Sequence, residues 1–549
     1  MHKSLFFLFF LLFINLGIKG QIPSEKPKLV VAIVVEQMRY DYILRYWDKF
    51  EKEGFKKLIN EGMNCKNARL NYLLTQGAPG IASIFTGALP GSHGIVGEEW
   101  YMRLKKEKYN CVEDDNALTI GSTSINGKKS PKWLISSSIN DEMKLFSNGK
   151  SKVFSVSLND YASILAGGKT ANACYWYDDK TGYWITSSYY QDSLPKWVNT
   201  FNEKLLPEFY LQQEWNTLLP ISSYTESQPD SSNYELGFGK DKFTFPYLMS
   251  EQKSKVSLKK HEIRYQLLRN IPSGNTYTLD FALATMVNEK LGNGESTDFI
   301  SITFSAIDNI GHKFGPNSVE IQDAFLRLDQ NMAHLLSFID KQYGKENVLV
   351  FLTSNHGVSG IPNFLKEKKM HAGYFKYHYS VALLKSYLNA LYGEGDWVSA
   401  YINQQVYLNR QLIESAKLSL EEVQKKVALF LVQYSGVANT ITASDLQSNN
   451  FKGGSVFEKM QNSFHQERSG DVILNLEPGW IQDKLEAADH GSGSVYDTHV
   501  PLLWYGWKIK RGSITRRVNI EQIAASLAEF LQISYPTSCE SEPIEELTK

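Results

Sequence analysis

Residues Lys28–Val35 read KLVVAIVV, an unbroken apolar run that is mostly β-branched. A strand with one wet face alternates apolar and polar residues. A run with no polar position is buried on both faces, as the strands of a parallel sheet are. The same signature recurs at Asp298–Phe304 (DFISITF), Asn347–Thr353 (NVLVFLT) and Val500–Tyr505 (VPLLWY). Helical patterns stand among them at Glu320–Phe338 and Leu420–Gln433, and another closes the chain at Asn519–Leu531. Alternating buried strands and helices predict an α/β fold with a mostly parallel sheet. Ligand sites in such sheets gather at the carboxyl ends of the strands. Polar residues stand at three of those ends: Glu36 after the first strand, Asp308 after the second and Asn355-His356 after the third.

The rest of the chain bounds the function. Its 549 residues are 42% hydrophobic and 21% charged, ordinary globular values that exclude wholesale disorder. A net charge of −1 shows no basic excess, which argues against nucleic acid as the main partner. Met1-His2-Lys3 leads into an apolar run, Ser4–Ile18, and then into polar Lys19-Gly20-Gln21. That order reads as a secretory signal peptide over residues 1–20, with an uncleaved anchor as the alternative. The expected product is periplasmic or secreted, with no membrane span after cleavage. The remaining residues, 21–549, read as one domain with insertions at about 195–273 and 366–488. Cys65, Cys111, Cys174 and Cys539 allow three disulfide connectivities and show no CxxC spacing.

Asp308-Asn-Ile-Gly-His312 places a carboxylate and an imidazole four residues apart at a strand end, a spacing that can chelate one zinc. By itself the spacing is a weak signal that more often marks a capping Asp and a surface His. Asn355-His356-Gly357 after a buried strand, and Asp489-His490-Gly491 before Tyr496-Asp-Thr-His499, change that balance.

These segments, with KPKLVVAIVVEQMRYDY, SIFTGALPGSHGIVGEEWY, VFSVSLNDYASILAGGKTANACYW, SAIDNIGHKFGPNS, FLTSNHGV and YDTHVPLLWYGW, resemble the alkaline phosphatase superfamily. The resemblance is to its type I phosphodiesterase/nucleotide pyrophosphatase branch and the phosphate-irrepressible bacterial alkaline phosphatases, from about Lys26 to Ile533. It implies a three-layer sandwich around a mostly parallel sheet with inserted cap regions. It also implies two zinc ions that stabilise the apical oxygens of an in-line phosphoryl transfer to a Thr or Ser nucleophile. Carried over residue by residue, the first zinc site is complete: Asp308, His312 and His490.

The second set departs from the family pattern. Glu36 and Asn355 stand where Asp is expected, and only His356 remains. The nucleophile position falls on Gly77, which has no side chain to phosphorylate. The Lys and Arg of the phosphate clamp become Asn159 and Tyr161, and an Asn that donates to the phosphoryl group becomes Glu98. The leading expectation is a pseudoenzyme that keeps one zinc site and binds a small molecule or an envelope protein partner. A second reading is a hydrolase of phosphate mono- or diesters, or of another ester, using a metal-activated water with Glu98 or Glu36 as base. A third is a conventional phosphatase with Thr75 or water standing in. His93 and His499 read as structural.

Overall fold

The computed structural model describes residues 25–238, 242–249 and 265–548. The expected signal peptide at residues 1–20 and parts of the first expected insertion lie outside them.

A ten-stranded sheet organises the chain. In chain order its strands are β1 (Leu29–Val35), β2 (Met63–Cys65), β3 (Thr119–Ile120), β4 (Val153–Ser157), β5 (Ala173–Tyr177), β6 (Trp184–Ser187), β7 (Asp298–Phe304), β8 (Val348–Thr353), β9 (Leu502–Gly506) and β10 (Gly512–Ile514). Across the sheet they lie in the order β10-β2-β9-β8-β1-β7-β4-β5-β6-β3. The run β8-β1-β7-β4-β5 is parallel throughout. β1, at its centre, buries both faces. Leu29, Val31, Ile33 and Val35 enter one apolar core, and Val30, Ala32 and Val34 enter the other. Helices over both faces complete a three-layer α/β sandwich.

One strand differs from expectation. β9 runs antiparallel to β8, with Thr353 opposite Leu502. A run buried on both faces looks the same whichever way its neighbour points, so composition could not distinguish the two.

The helices that matter here are α1 (Gly77–Thr86), α2 (Asp160–Gly167), α3 (Ala306–Phe314) and α4 (Val319–Gln342). Gly87, at φ 66°, stops α1 in the left-handed conformation that glycine adopts without strain. Gly80 lets α1 lie against the loop after β8, because a Cβ there would come within 2.7 Å of the Asn355 Cβ. The N-terminus of α4 is fixed by Ser318, whose hydroxyl accepts the Ile321 N–H at 3.1 Å.

A four-stranded antiparallel sheet, made of Val398–Ile402, Gln405–Leu408, Val472–Leu476 and Val437–Thr442, has its own apolar core with helices Tyr377–Tyr392 and Leu420–Leu431. The turn between its first two strands presses on the main unit. Asn403 Nδ2 donates to the Glu99 carbonyl at 3.0 Å, and Gln404 Nε2 donates to the Gly491 carbonyl at 3.2 Å. Strand Trp480–Gln482 then pairs with Gly373–Phe375 and returns the chain toward His490. Among the described residues no helix is long and apolar enough to cross a membrane. All four cysteines are unpaired, and Cys65, Cys111 and Cys174 are buried.

Candidate metal centre

The carboxyl ends of the parallel strands bring the sequence candidates together. β1 runs out at Glu36, whose N–H still donates to the Phe304 carbonyl at 3.1 Å, and Gln37 then turns the chain at φ 62°. β7 feeds α3, which carries Asp308 and His312 one turn apart on one side. β8 delivers Asn355 and His356, and β4 delivers Asn159 and, as the second residue of α2, Tyr161. Gly77 opens α1.

Three imidazoles share one arrangement. Each engages a backbone carbonyl through Nδ1: His312 with Ala488 at 2.8 Å, His490 with Thr75 at 2.7 Å and His356 with Gly357 at 2.9 Å. A ring nitrogen held in this way leaves Nε2 as the atom that can accept a metal. His312 Nε2 lies 3.4 Å from Asp308 Oδ1, and His490 Nε2 lies 3.8 Å from the same oxygen. The His356 ring stacks on His490 with centroids 3.7 Å apart. Ligand atoms of Asp308, His356 and His490 fall within 4.8 Å of one another, and so do those of His312, Asp489 and His490. Burial opposes ionisation of Asp308. The three imidazoles around it outweigh that and hold its carboxyl well below the usual range. Burial likewise opposes charge on His312, but Asp308 raises it to about 10. Burial and the neighbouring His356 and His312 push His490 down to about 3.

The other half of the site is organised differently. Glu36 is fully buried, and both of its oxygens are engaged by residues standing at departed positions. Asn159 Nδ2 donates to Oε2 at 2.7 Å, while Tyr161 Oη at 2.9 Å and Asn355 Nδ2 at 3.0 Å donate to Oε1. Asn355 Oδ1 accepts the Gln37 N–H at 3.3 Å, and Asn159 Oδ1 accepts from Arg269 Nη1 at 2.6 Å. Burial, then the charge on Asp308, push Glu36 up to about 8 despite these donors.

At Gly77 an added Cβ would sit 2.8 Å from Tyr161 Cζ and 2.8 Å from Glu98 Oε1, and closer still to the Tyr161 hydroxyl. The phenol thus fills the space that a side chain at this position would enter. The Thr75 hydroxyl is committed to the Ser492 carbonyl, to which it donates at 2.9 Å.

Above these groups lies a polar cavity of about 350 Å³. Glu98, Glu99, Asp308, Glu486 and Asp489 line it, with Lys484 as its lysine. Burial and the Asp308 charge raise the half-buried Glu98 to about 7. With no cation bound, a lining this acidic disfavours a phosphate dianion.

Sequence reasoning missed four participants. Gln37 donates to Asp308 Oδ1 at 2.8 Å. Lys484 pairs with Asp489 Oδ2 at 3.2 Å, and Glu486 lies 3.6 Å from His312 Nδ1. Arg269, which also pairs with Asp179 at 2.6 Å, orients Asn159. Only Gln37, beside Glu36, carried a positional signal, because Arg269 sits in a single 3-10 turn and the others come from irregular segments. His93 lies elsewhere, buried with Nε2 3.0 Å from Ser83 Oγ, and His499 stacks on Tyr40 at 4.7 Å.

Comparison with known proteins covers nearly the whole chain. Residues 30–496 match the family model described as type I phosphodiesterase/nucleotide pyrophosphatase. A protein of Myroides odoratus named calcium-transporting ATPase is 38% identical over 97% of both chains. Alkaline phosphatase PhoV of Synechococcus elongatus is 37% identical, over 95% of this chain and 93% of its own. The crystal structure of alkaline phosphatase PafA superimposes with a TM-score of 0.90 at 35% identity, covering 95% of this chain and 99% of that one.

Proposed function

The chain belongs to the type I phosphodiesterase/nucleotide pyrophosphatase family, in its phosphate-irrepressible alkaline phosphatase group, and from that premise we propose a pseudoenzyme: an exported domain that binds one metal and a ligand and does not transfer phosphoryl groups. One observation carries this reading. The Tyr161 phenol fills the nucleophile's space while its hydroxyl, with Asn159 and Asn355, engages both oxygens of Glu36. No group remains at residue 77 to be phosphorylated, and the carboxylate that would help hold a second metal is turned into a hydrogen-bond network.

The donor sets decide which metal sites fit. Asp308, His312 and His490 suit zinc, since their imidazoles are anchored through Nδ1 and present Nε2 toward one carboxylate oxygen. Zinc held there would supply Lewis acidity. Glu36, Asn355 and His356 do not fit a second metal. Glu36 is fully engaged, and Asn355 turns its amide N–H toward Glu36. Away from the metal itself, the carboxylates of the cavity rim favour a cationic or neutral ligand group over an anionic one. The apolar leader at Ser4–Ile18 supports export to the periplasm or beyond.

The test is elemental analysis of the purified mature protein, paired with phosphatase and phosphodiesterase assays in added zinc. One zinc per chain without turnover is expected. Zinc-dependent hydrolysis well above that of Asp308→Ala would overturn the reading.

A second reading, an active hydrolase, has one observation in its favour. Glu98 stands in the cavity beside Asp308 with its carboxyl at about 7, suited to take a proton from an attacking water near neutral pH. Hydrolysis of any ester that is lost in both Glu98→Gln and Asp308→Ala would establish it.

A further inference from the structure

Resting on the one-metal reading, we propose that Gln37 is a positioning residue for the metal. Its side-chain amide fixes the Asp308 oxygen that faces His312 and His490, and the fold keeps Gln37 for that contact.

One oxygen atom defines the role. Gln37 Nε2 donates to Asp308 Oδ1 at 2.8 Å. The same Oδ1 is the atom that His312 Nε2 approaches to 3.4 Å and His490 Nε2 to 3.8 Å. It is therefore the point at which the three expected ligands meet. Among the described residues, the Gln37 amide is the only hydrogen-bond donor to Asp308 apart from imidazoles. A carboxylate oxygen has two lone pairs, so an amide N–H and a cation can share it. A donor placed in this way stops the carboxylate from rotating and presents one oxygen to the imidazoles.

The fold accepts local costs to make this contact. Gln37 sits at φ 62°, in the left-handed region that favours glycine. Its side chain is 1% exposed, and Oε1 has no hydrogen-bond partner. Oε1 also occupies the place where a Cβ on Gly311 would stand. Helix α3 must then carry a glycine between Asp308 and His312, where alanine would stabilise a helix better. A residue kept only to fill space would be better supplied by leucine, which leaves no amide unsatisfied. The backbone is braced as well. Asn355 Oδ1 accepts the Gln37 N–H at 3.3 Å while Asn355 Nδ2 donates to Glu36 at 3.0 Å. A residue at a second-metal position thus supports the turn that delivers the amide to the first. Metal affinity, more than folding, should depend on Gln37.

The test uses full-length mature protein, stripped with chelator and titrated with zinc alone, with cobalt(II) as a spectroscopic substitute. Gln37→Leu removes the amide at nearly constant volume. It should lower zinc affinity roughly 10–100-fold, the loss typical of a partner that orients a ligand, and should shift the visible absorption of the cobalt form. The metal-free variant should stay folded by circular dichroism, because the orphaned carbonyl leaves together with the donor. Gly311→Ala reaches the same contact from the other side. Its methyl displaces the Gln37 carbonyl without altering a ligand, so zinc affinity should again fall. Combined with Gln37→Ala, which clears that space, it should cost no further affinity. Where Gln37→Leu misfolds, Gln37→Ala is read in its place with the same expectations. Unchanged zinc affinity, an unchanged cobalt spectrum, or additive losses in the double variant would overturn the proposal. Stoichiometry in wild type tests the one-metal reading, and the ratio of variant to wild-type affinity tests this inference, so either can fail alone. Absence of zinc binding in wild type would overturn both.

Discussion

Restoring a nucleophile at Gly77 should damage the protein before it does anything for catalysis. In Gly77→Ser the new Cβ meets Tyr161 Cζ and Glu98 Oε1 at 2.8 Å, a separation that real Cβ atoms do not sustain. The phenol cannot simply swing aside. Its hydroxyl donates to Glu36 at 2.9 Å and accepts from Asn159 at 3.2 Å, and the ring is 8% exposed. Overpacking costs about 1–3 kcal/mol. Breaking the hydrogen bond to the Glu36 carboxyl adds about 1.5–3 kcal/mol if the phenol is expelled. Replacing glycine within a helix returns about 0.5 kcal/mol. The expected net loss is therefore roughly 2–5 kcal/mol. The assay is a double-mutant cycle by urea unfolding at constant m, with Tyr161→Ala as the second substitution. Tyr161→Ala alone should cost about 3–5 kcal/mol for the cavity it leaves. In that background Gly77→Ser should become cheaper by roughly 1–3 kcal/mol. Costs that add to within about 0.5 kcal/mol would show that the phenol does not occupy the nucleophile's space. Zinc-supplemented phosphatase assays on the single variant should read zero, since Asn159 and Asn355 still hold Glu36.

The other predictions concern stability and metal. Glu235 and Glu320 are buried near each other, each with an Oε2 that lacks a hydrogen-bond partner, and burial followed by neighbouring carboxylates holds both well above their ordinary value of 4.5. The native state thus keeps protons that the unfolded chain has lost, so stability should fall as pH rises above 4.5. Unfolding midpoints at about pH 6 and about pH 9 should show this, and Glu235→Gln should flatten the slope. Removing Arg269 as Arg269→Ala strands Asp179 and Asn159 Oδ1, which should cost about 1–3 kcal/mol by urea unfolding. Zinc at 100 times its dissociation constant should stabilise wild type by about 2.7 kcal/mol. That gain should vanish on chelation and in Asp308→Ala, as read by thermal unfolding.

The parts of this structure legible in the sequence share a physical reason. KLVVAIVV could be identified because a strand buried on both faces tolerates no polar position, and β1 does fill both cores. Glu36, Asp308 and Asn355-His356 could be placed because a strand end is a point on a sheet edge, and parallel strands bring their ends to the same edge. Side-chain direction was not legible. Tyr161 appeared as a lost cation, and nothing in its neighbours stated that its hydroxyl would reach Glu36 and cover Gly77. Arg269 came from a four-residue 3-10 turn and Lys484 from an irregular segment, where neither period 2 nor period 3.6 constrains position. The direction of β9 was hidden because its hydrogen-bonding partner is a long-range choice.

The departures at the site form a connected unit in space, and this changes what each one means. Counted along the chain, Glu36, Gly77, Glu98, Asn159, Tyr161 and Asn355 are separate replacements. In the structure Glu36 accepts from Asn159, Tyr161 and Asn355, Tyr161 covers Gly77, and Glu98 closes the other side of the same space. A carboxylate buried without donors would be costly, and so would a buried phenol or amide without acceptors. Each replacement therefore supplies what another needs, and the pocket is well satisfied without a second metal. Any single reversal breaks that balance. Asp at 36 would withdraw the carboxylate from its donors, a Lys or Arg at 159 or 161 would remove Glu36's partners, and Ser or Thr at 77 would strike the phenol. On the pseudoenzyme reading, phosphoryl transfer would require the whole set to change together, because every intermediate carries the cost of an unpaired buried group.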